Sequence, residues 1–238
     1  MKVTVYKFNP ATDAEPYYVT GEVPYTKDMS ALHALKLFNE NVAQVNYDYS
    51  CRGRLCGRCA MMVNGEPTLI CTKRLAEERD YTFEPLPGFP VYRDLIVDKH
   101  PLDDRITAIS QRIRIEPFTA ETMKADRTKY TDEIMWMTYG AEFCARCGVC
   151  NVGCPAKAAH PNDFIGPAGM MAIAYRHMDP LDQGDRVMEA VSNGLYHCIM
   201  CGRCDQLCAH HDVKHIEAWK MLRAAAEERG IVPSYAKK

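Results

Sequence analysis

The twelve cysteines of this 238-residue chain are the residues whose type and spacing could do chemistry. Reducing compartments disfavour disulfides, and bunched cysteines there more often bind metal. We therefore expect them to hold metal. They form three groups of four with none left over: Cys51, Cys56, Cys59 and Cys71; Cys144, Cys147, Cys150 and Cys154; and Cys198, Cys201, Cys204 and Cys208.

The first group consists of "CRGRLCGRC" and, eleven residues later, Cys71. This is the plant-type spacing C-x4-C-x2-C…C of a [2Fe–2S] cluster. Gly53 and Gly57 permit a tight loop in which three thiolates converge and backbone N–H groups point at the sulfides. Structural zinc is the alternative, but zinc sites usually consist of two separated C-x2-C pairs.

The other two groups repeat one motif. "CARCGVCNVGCP" over 144–155 has the bacterial spacing C-x2-C-x2-C-x3-C-P of [4Fe–4S] clusters, and "CIMCGRCDQLC" over 198–208 repeats it without the proline. In proteins with two such runs, the fourth cysteine of each run binds the other cluster. The spacing therefore predicts one cluster on Cys144, Cys147, Cys150 and Cys208, and another on Cys154, Cys198, Cys201 and Cys204.

The elements that must position the first group are of mixed type. "VTVYKF" over 3–8 alternates like a half-buried strand, and 28–42 has the apolar periodicity of a helix. "AMMVNGEPTLIC" over 60–71 predicts a hairpin around Asn64-Gly65. The Pro-rich stretch 84–95 is predicted to be a linker. Together these segments predict an α+β domain over residues 1–98.

The elements that carry the other groups are helical in composition. Residues 103–115 and 119–139 favour helices, and 212–230 predicts a helix that ends at Gly230. Its apolar stripe includes Trp219, which we expect in the core rather than in a redox role. A second, all-α domain over residues 99–238 is predicted.

Composition excludes several classes of function. The formal charge of −2 argues against a nucleic-acid partner. The best candidate for a membrane span, "GPAGMMAIAY", has about half of the roughly 20 apolar residues needed to cross a bilayer. The N-terminus lacks the long apolar region of a secretory signal. We expect a cytoplasmic chain that a membrane subunit can recruit. No nucleotide-binding motif or nucleophile–base pair is found, so the expected chemistry is electron transfer rather than catalysis on a substrate.

A plant-type [2Fe–2S] module followed by a helical dicluster module resembles the iron–sulfur subunit of the succinate dehydrogenase/fumarate reductase family. "DFIGPAGMMAIAYRHMDPLD" over 163–182 and the hairpin over 60–71 also look like segments of that family. The resemblance implies a β-grasp ferredoxin fold followed by a bacterial ferredoxin-like fold, with three clusters in line. It further implies an FAD-bearing catalytic subunit for fumarate and succinate and a membrane anchor with quinone and often haem b. The chain would then lie peripherally on the cytoplasmic side of the membrane.

Cys201 departs from the family pattern. The family usually has another residue at this position, and its third centre is then a [3Fe–4S] cluster on three cysteines, which here match Cys154, Cys198 and Cys204. Because Cys201 stands at the spacing that a cubane requires, we predict a second [4Fe–4S] cluster. The alternative is a bystander thiol beside a [3Fe–4S] centre.

The first loop also departs from the family, because Arg52, Arg54 and Arg58 crowd it and the glycine is shifted to Gly53. Guanidinium groups near a reduced cluster would raise its reduction potential. Alternatively, they form ion pairs with a partner or lie in solvent, where charges are screened.

The quinone contacts differ as well. In ubiquinone-using relatives, a Trp shortly after the Cys-Pro and a His after the next cysteine lie beside the quinone, whereas this chain has "AKAAHPN" over 156–162 and Ile199. Menaquinone, or an acceptor other than a quinone, is therefore favoured. Four histidines near the motifs could shuttle protons, but no role is assigned to them: His160, His197, His210 and His211.

Other functions remain open. The same electron relay could serve another flavoprotein, such as an acyl or unsaturated-acid reductase, or a heterodisulfide-reductase-type system. From a different class, the chain could be a zinc-stabilised interaction protein or an iron–sulfur sensor. Neither of the last two explains two ferredoxin spacings in one chain.

Overall fold

The computed structural model describes residues 1–236, which divide into two compact units. The first unit comprises 1–101, 145–153 and 207–209, and the second comprises the remaining described residues. The sequence places a domain boundary between residues 98 and 99. The contacts in addition assign two short segments of the cysteine runs to the first unit.

A five-stranded mixed sheet forms the centre of the first unit. Its order is β2-β1-β5-β3-β4, in which β1 and β5 are parallel and the other neighbours are antiparallel. Alternation in β1 buries Val3 and Val5, as the sequence predicts. The strands are β1 (Lys2–Lys7), β2 (Tyr17–Glu22), β3 (Ala60–Val63), β4 (Glu66–Leu69) and β5 (Tyr81–Glu84).

Helix α1 (Ala31–Asn41) belongs to the same core. The predicted helix over 28–42 begins at Ala31 because Ser30 is its N-cap, with the Ser30 hydroxyl accepting the His33 N–H at 3.2 Å. Leu35 and Phe38 are fully buried on its inner face.

The Pro-rich stretch 84–95 is not a linker. Strands β6 (Val91–Arg93) and β7 (Ile96–Val97) pair in a small antiparallel sheet around Asp94, which has a φ of 50°. Leu86 and Leu95 are buried in the core of the first unit. Prolines therefore interrupt the strands here without separating the stretch from the domain.

The rest of the chain is helical, as predicted. The expected helical stretch 119–139 is two helices, because Thr131 caps a new one by accepting the Ile134 N–H. Trp219 is fully buried, which confirms its place in the core. The helices are α2 (His100–Ser110), α3 (Ala120–Arg127), α4 (Asp132–Glu142), α5 (Val149–Val152), α6 (Pro155–Ala159), α7 (Pro167–Met178), α8 (Arg186–Ser192), α9 (Arg203–Leu207) and α10 (His215–Glu228), with 3-10 turns at Leu195–His197 and Ser234–Ala236.

Two carboxylates at the end of the 163–182 segment hold arginines of the second unit. Asp179 accepts hydrogen bonds from Arg112 and Arg176, each at 2.8 Å, and Asp182 forms a buried ion pair with Arg186 at 2.8 Å. Charges this deeply buried must be paired. The two carboxylates at the end of this segment therefore connect it by buried ion pairs to other parts of the helical unit.

The fold class is α+β: a mixed sheet with its helix, followed by helices that carry the last two cysteine groups. Between residues 1 and 236, no helix combines the length and the apolar character that crossing a membrane requires.

Candidate metal centres

The loop over 51–59 directs backbone N–H groups at a thiol. The amides of Gly53, Leu55 and Cys56 donate to the Cys51 Sγ at 3.4, 3.2 and 3.3 Å. These hydrogen bonds, that of Gly53 first, lower the pKa of Cys51 to about 7. A thiol whose sulfur accepts three amide N–H groups favours its thiolate, which is the form that binds iron.

The tight loop is predicted from the sequence to depend on Gly53 and Gly57; of these, Gly57 is left-handed, and two arginines take this conformation in place of Gly53. Arg52 and Arg54 have φ values of 56° and 62°, and Gly57 follows with 66°, whereas Gly53 is not among the positive-φ residues. Each left-handed arginine costs on the order of 1–2 kcal/mol. Alternation of this kind forms a concave nest of N–H groups for an anion.

Cys59 and Cys71 lie next to one another across the β3–β4 hairpin, where the Ile70 N–H also donates to the Cys59 carbonyl at 3.2 Å. Burial raises the pKa of Cys59 to about 12; a hydrogen bond with the Cys71 backbone opposes this rise, and the Cys71 thiol adds to it. Cys51 and Cys56 are also neighbours, but there a hydrogen bond with the Cys56 side chain lowers the pKa of Cys51. The structure thus brings the thiols of the first group together in two adjacent pairs.

The second and third groups have left-handed residues at matching positions. Arg146 and Met200, each just before the second cysteine of its run, have φ values of 50° and 57°. Gly148 and Gly202, each just after it, have 84° and 75°. The two turns therefore have the left-handed conformation at matching positions, and Cys201 lies between these positions in its run as Cys147 does in the earlier run.

The third group assembles within the second unit. Burial raises the pKa values of Cys154 and Cys198, and that of Cys204 to about 12. Electrostatic repulsion from Cys201 adds to the rise at Cys154 and Cys198. Cys201 itself is exposed but belongs to this mutually interacting set.

The second group is divided by the unit assignment. Cys147, Cys150 and Cys208 belong to the first unit, and Cys144 belongs to the second. Cys150 is buried and the other three are partly buried. That these four bind one cluster remains a prediction from their spacing.

These thiols fit iron–sulfur clusters chemically. Within residues 1–236 all twelve cysteines are free of disulfides. Burial that opposes thiolate formation is offset when iron supplies positive charge and backbone amides donate to sulfur. Such amides are present at Cys154, which accepts from the Lys157 N–H, and at Cys198, which accepts from the Met200 N–H, both at 3.4 Å.

Sequence reasoning missed two side chains beside the third group. His215 is buried, and its Nδ1 lies 2.9 Å from the Asp205 carboxylate. The Cys204 thiol is close to both residues: one possible ligand atom from each of the three lies within 4.8 Å of the others. Arg223 donates to the carbonyl oxygen of Cys198 at 2.5 Å. Asp205 directly follows Cys204 in the sequence, but nothing in the sequence indicates that α10 brings His215 and Arg223 close to the third group.

The loop arginines have partners within the chain. Arg58 pairs with Asp48 at 3.3 Å, the Arg52 guanidinium lies 5.3 Å from the centre of the Tyr49 ring, and Arg54 donates to a carbonyl at 3.1 Å.

Three of the four motif histidines make ring contacts. His160 stacks on His197 with ring centres 4.2 Å apart, His197 stacks on Tyr235, and His210 stacks on Phe143.

Comparisons with known proteins agree with this description. Residues 2–104 match the family "2Fe-2S iron-sulfur cluster binding domain" and residues 140–211 match "4Fe-4S dicluster domain". The Mycobacterium smegmatis Sdh1 complex in the apo form contains a chain that shares the fold, with a TM-score of 0.82, 24% identity and 98% of each chain covered.

Similarity to curated sequence relatives identifies the family. The chain is 34% identical to the fumarate reductase iron–sulfur subunit of Escherichia coli O6:H1, with 98% of this chain and 93% of that protein covered. It is 32% identical to that of Haemophilus influenzae, with 89% and 87% covered. It is also 30% identical to a subunit of the CoM/CoB fumarate reductase of Methanothermobacter marburgensis, covering 98% of this chain but 46% of that protein. Both cluster domains and these identities make the chain a member of the family of iron–sulfur subunits of fumarate reductase and succinate dehydrogenase.

Proposed function

We propose that this chain relays single electrons between an FAD-bearing catalytic subunit acting on fumarate or succinate and a quinone site in a membrane anchor. Iron–sulfur clusters supply one-electron chemistry when bound. The protein's part is to hold them, to fix their spacing and to tune their potentials. The observation that carries this proposal is the assembly of cysteine thiols of both ferredoxin spacings in one chain of this family.

The proposed ligand sets follow the spacing. Cys51, Cys56, Cys59 and Cys71 would hold [2Fe–2S], and Cys144, Cys147, Cys150 and Cys208 would hold [4Fe–4S]. Cys154, Cys198, Cys201 and Cys204 would hold a second [4Fe–4S] cluster. The left-handed turn shared with Cys147 supports a ligand role for Cys201.

An exposed apolar surface supports obligate assembly with partners. On α4, Met135, Trp136 and Tyr139 have 58%, 74% and 46% of their surface exposed. Nearby in the sequence, Ile115 and Phe118 are 79% and 71% exposed. The rings of Trp136 and Tyr139 contact each other edge to face, with centres 5.8 Å apart, so α4 presents an apolar patch of the kind that usually marks a protein interface.

Menaquinone is the quinone that we favour, because the residues that contact ubiquinone in relatives have no counterpart over 156–162 or at Ile199. The test is electron transfer from a reduced menaquinone analogue to fumarate by the purified complex, beside the same assay with a ubiquinone analogue. Preference for the ubiquinone analogue would contradict this part of the proposal.

The third centre is tested by an EPR spectrum of the oxidised complex with iron analysis. A [3Fe–4S] centre is paramagnetic when oxidised, whereas oxidised [2Fe–2S] and low-potential [4Fe–4S] clusters are silent. We expect no oxidised-state signal and about ten irons per chain. A strong signal with about nine irons would make Cys201 a bystander.

Substitution of Cys201 sharpens the same test. In Cys201→Ser we expect the loss of about one iron per chain and the appearance of an oxidised-state signal. Ile199→Ser, a change at an exposed residue of the same turn, is the control and should keep the wild-type spectrum. A silent Cys201→Ser variant would contradict the ligand role.

A second candidate is favoured by the similarity to the CoM/CoB fumarate reductase. The name of that relative joins fumarate reduction to CoM and CoB, and the chain covers less than half of its length. In this alternative, the relay of our chain serves a flavoprotein that takes its two electrons from a pair of thiols, which are oxidised to a disulfide, instead of from a quinol. Purification of a complex without a haem-bearing membrane subunit, active with thiols and inactive with quinols, would favour it.

A further inference from the structure

Gly57 lies at a close approach between two cysteine loops of the first unit. A Cβ atom added there would lie 2.6 Å from the Ala145 carbonyl oxygen and 2.9 Å from the Cβ of Cys147. Atoms of a real side chain do not approach so closely. Gly57 directly follows Cys56, so the backbone of the [2Fe–2S] loop rests on the backbone at a cysteine of the next group.

The [2Fe–2S] loop also makes hydrogen bonds to two other segments of the first unit. The Arg54 Nη1 donates to the carbonyl oxygen of Ala209 at 3.1 Å, and Ala209 directly follows Cys208. The Lys99 Nζ donates to the Gly57 carbonyl at 2.9 Å and thereby holds that peptide in place. The [2Fe–2S] loop is therefore held by hydrogen bonds on both sides of Cys56 in the sequence.

We infer that Gly57 is a positioning residue for electron transfer between the first and second clusters. The inference rests on the proposed function. One electron passes between the two centres, so one is oxidised by one electron and the other is reduced by one, with no bond made or broken and no proton required. Tunnelling falls exponentially with separation, and a missing side chain at Gly57 is what lets the ligand loops touch.

The experiment uses Gly57→Ala in the purified complex. In the dithionite-reduced wild type, the reduced second cluster should accelerate the spin relaxation of the reduced [2Fe–2S] signal through dipolar coupling. We expect weaker coupling in the variant and slower inter-cluster electron transfer, because the added Cβ must push the two ligand loops apart. Iron content should stay at the wild-type value.

Gly65→Ala is the matched control. Gly65 at the tip of the β3–β4 hairpin has a φ of 74°, close to the 66° of Gly57, but nothing lies within 4 Å of an added Cβ. The control therefore carries the same kind of backbone strain without pushing two loops apart. Coupling and rate should match the wild type.

Each outcome decides a separate point. Coupling in Gly57→Ala equal to the wild type, with both clusters present, would overturn the inference. A wild-type complex that lacks either cluster signal would overturn the proposed function instead.

If Gly57→Ala loses iron, Arg54→Gln takes its place. It removes the hydrogen bond to Ala209 without inserting an atom between the loops, and we expect weaker spin coupling in the same direction. Unchanged coupling in Arg54→Gln would then count against the inference.

Discussion

At the residue scale, Arg223 is the clearest charge beside the third cysteine group. Its Nη2 donates to the carbonyl oxygens of Cys198 and Leu195, and its guanidinium lies 5.2 Å from the centre of the Tyr196 ring. Burial raises the pKa of Cys198, and the positive charge of Arg223 opposes this rise. The arginine therefore offsets part of the negative charge that Cys201 would add as a fourth thiolate.

Arg223→Gln should make the potential of the third cluster more negative. A partly screened charge contributes about 0.5–1 kcal/mol, which corresponds to roughly 20–40 mV for a one-electron couple. The measurement is an EPR-monitored redox titration of the complex. Lys220→Gln removes an exposed charge paired with Glu217 on the same helix and should leave the potential unchanged. Equal potentials in wild type and Arg223→Gln would contradict this role.

At the element scale, one carboxylate joins three segments of the first unit. Asp94, only 2% exposed in the turn between β6 and β7, accepts from the Lys7 Nζ at 2.8 Å and from the Phe8 N–H at 3.1 Å. It also accepts the backbone and side-chain N–H groups of Asn46, each at 2.8 Å. Burial alone would raise the pKa of Asp94. The hydrogen bonds from these donors lower it by more, so the net pKa lies below the ordinary value of 3.8.

Asp94→Asn should destabilise the first unit by about 2–3 kcal/mol at neutral pH, since it removes a charged acceptor shared by several donors. A folded pKa below the unfolded value means that Asp94 contributes its stabilisation above about pH 4. This contribution is lost as the pH falls through the folded pKa, so the difference from wild type should shrink there. Denaturant unfolding at a series of pH values measures it.

Glu40→Gln is the carboxyl-to-amide control for this series. Glu40 is exposed and pairs with Lys36 at 3.7 Å on α1, a pair of the kind that contributes little. Its free energy of unfolding should stay within about 0.5 kcal/mol of wild type at every pH. A loss in Asp94→Asn no larger than in this control would contradict the importance of the Asp94 contacts.

At the scale of the whole molecule, metal is expected to support both units. Cys59 in the first unit and Cys154 and Cys204 in the second are buried thiols whose ionisation burial opposes. The first group of cysteines includes Cys71 and Cys51, twenty residues earlier in the chain. The third group includes Cys154 and the cysteines over 198–204. Iron bound there would cross-link distant segments and add its binding free energy to folding.

Removal of iron should therefore destabilise the chain throughout. By analogy with cross-links that close loops, we expect a loss of about 3 kcal/mol or more per cluster. Thermal unfolding by circular dichroism, before and after oxidative removal of iron with a chelator, measures this loss. Restored stability on reconstitution with iron and sulfide is the control, and an unchanged transition without iron would contradict the prediction.

Sequence reasoning succeeded where structure is encoded locally. Asn64-Gly65 specifies its hairpin, the apolar periodicity of 28–42 indicates α1, and the cysteine spacing indicates the cluster types because each turn is short. It failed at 84–95, where composition does not reveal that Leu86 and Leu95 enter the core.

The surroundings of the candidate centres could not be predicted, because they depend on tertiary packing. Arg223 and His215 reach the third group only through the placement of α10. Equally, nothing in the sequence shows that Arg58 pairs with Asp48, or that Arg52 and Arg54 rather than Gly53 take the left-handed conformation.

The matching turns before Cys147 and Cys201 bear on how such a subunit can evolve. Because Met200 and Gly202 already give the backbone its ferredoxin shape, a thiol at position 201 requires no rearrangement of the chain. With the proposed ligand set, a single codon change there would exchange a four-iron centre for a three-iron one on the same backbone. Descendants of one ancestor could thus adapt to electron carriers of different potential through one inherited substitution.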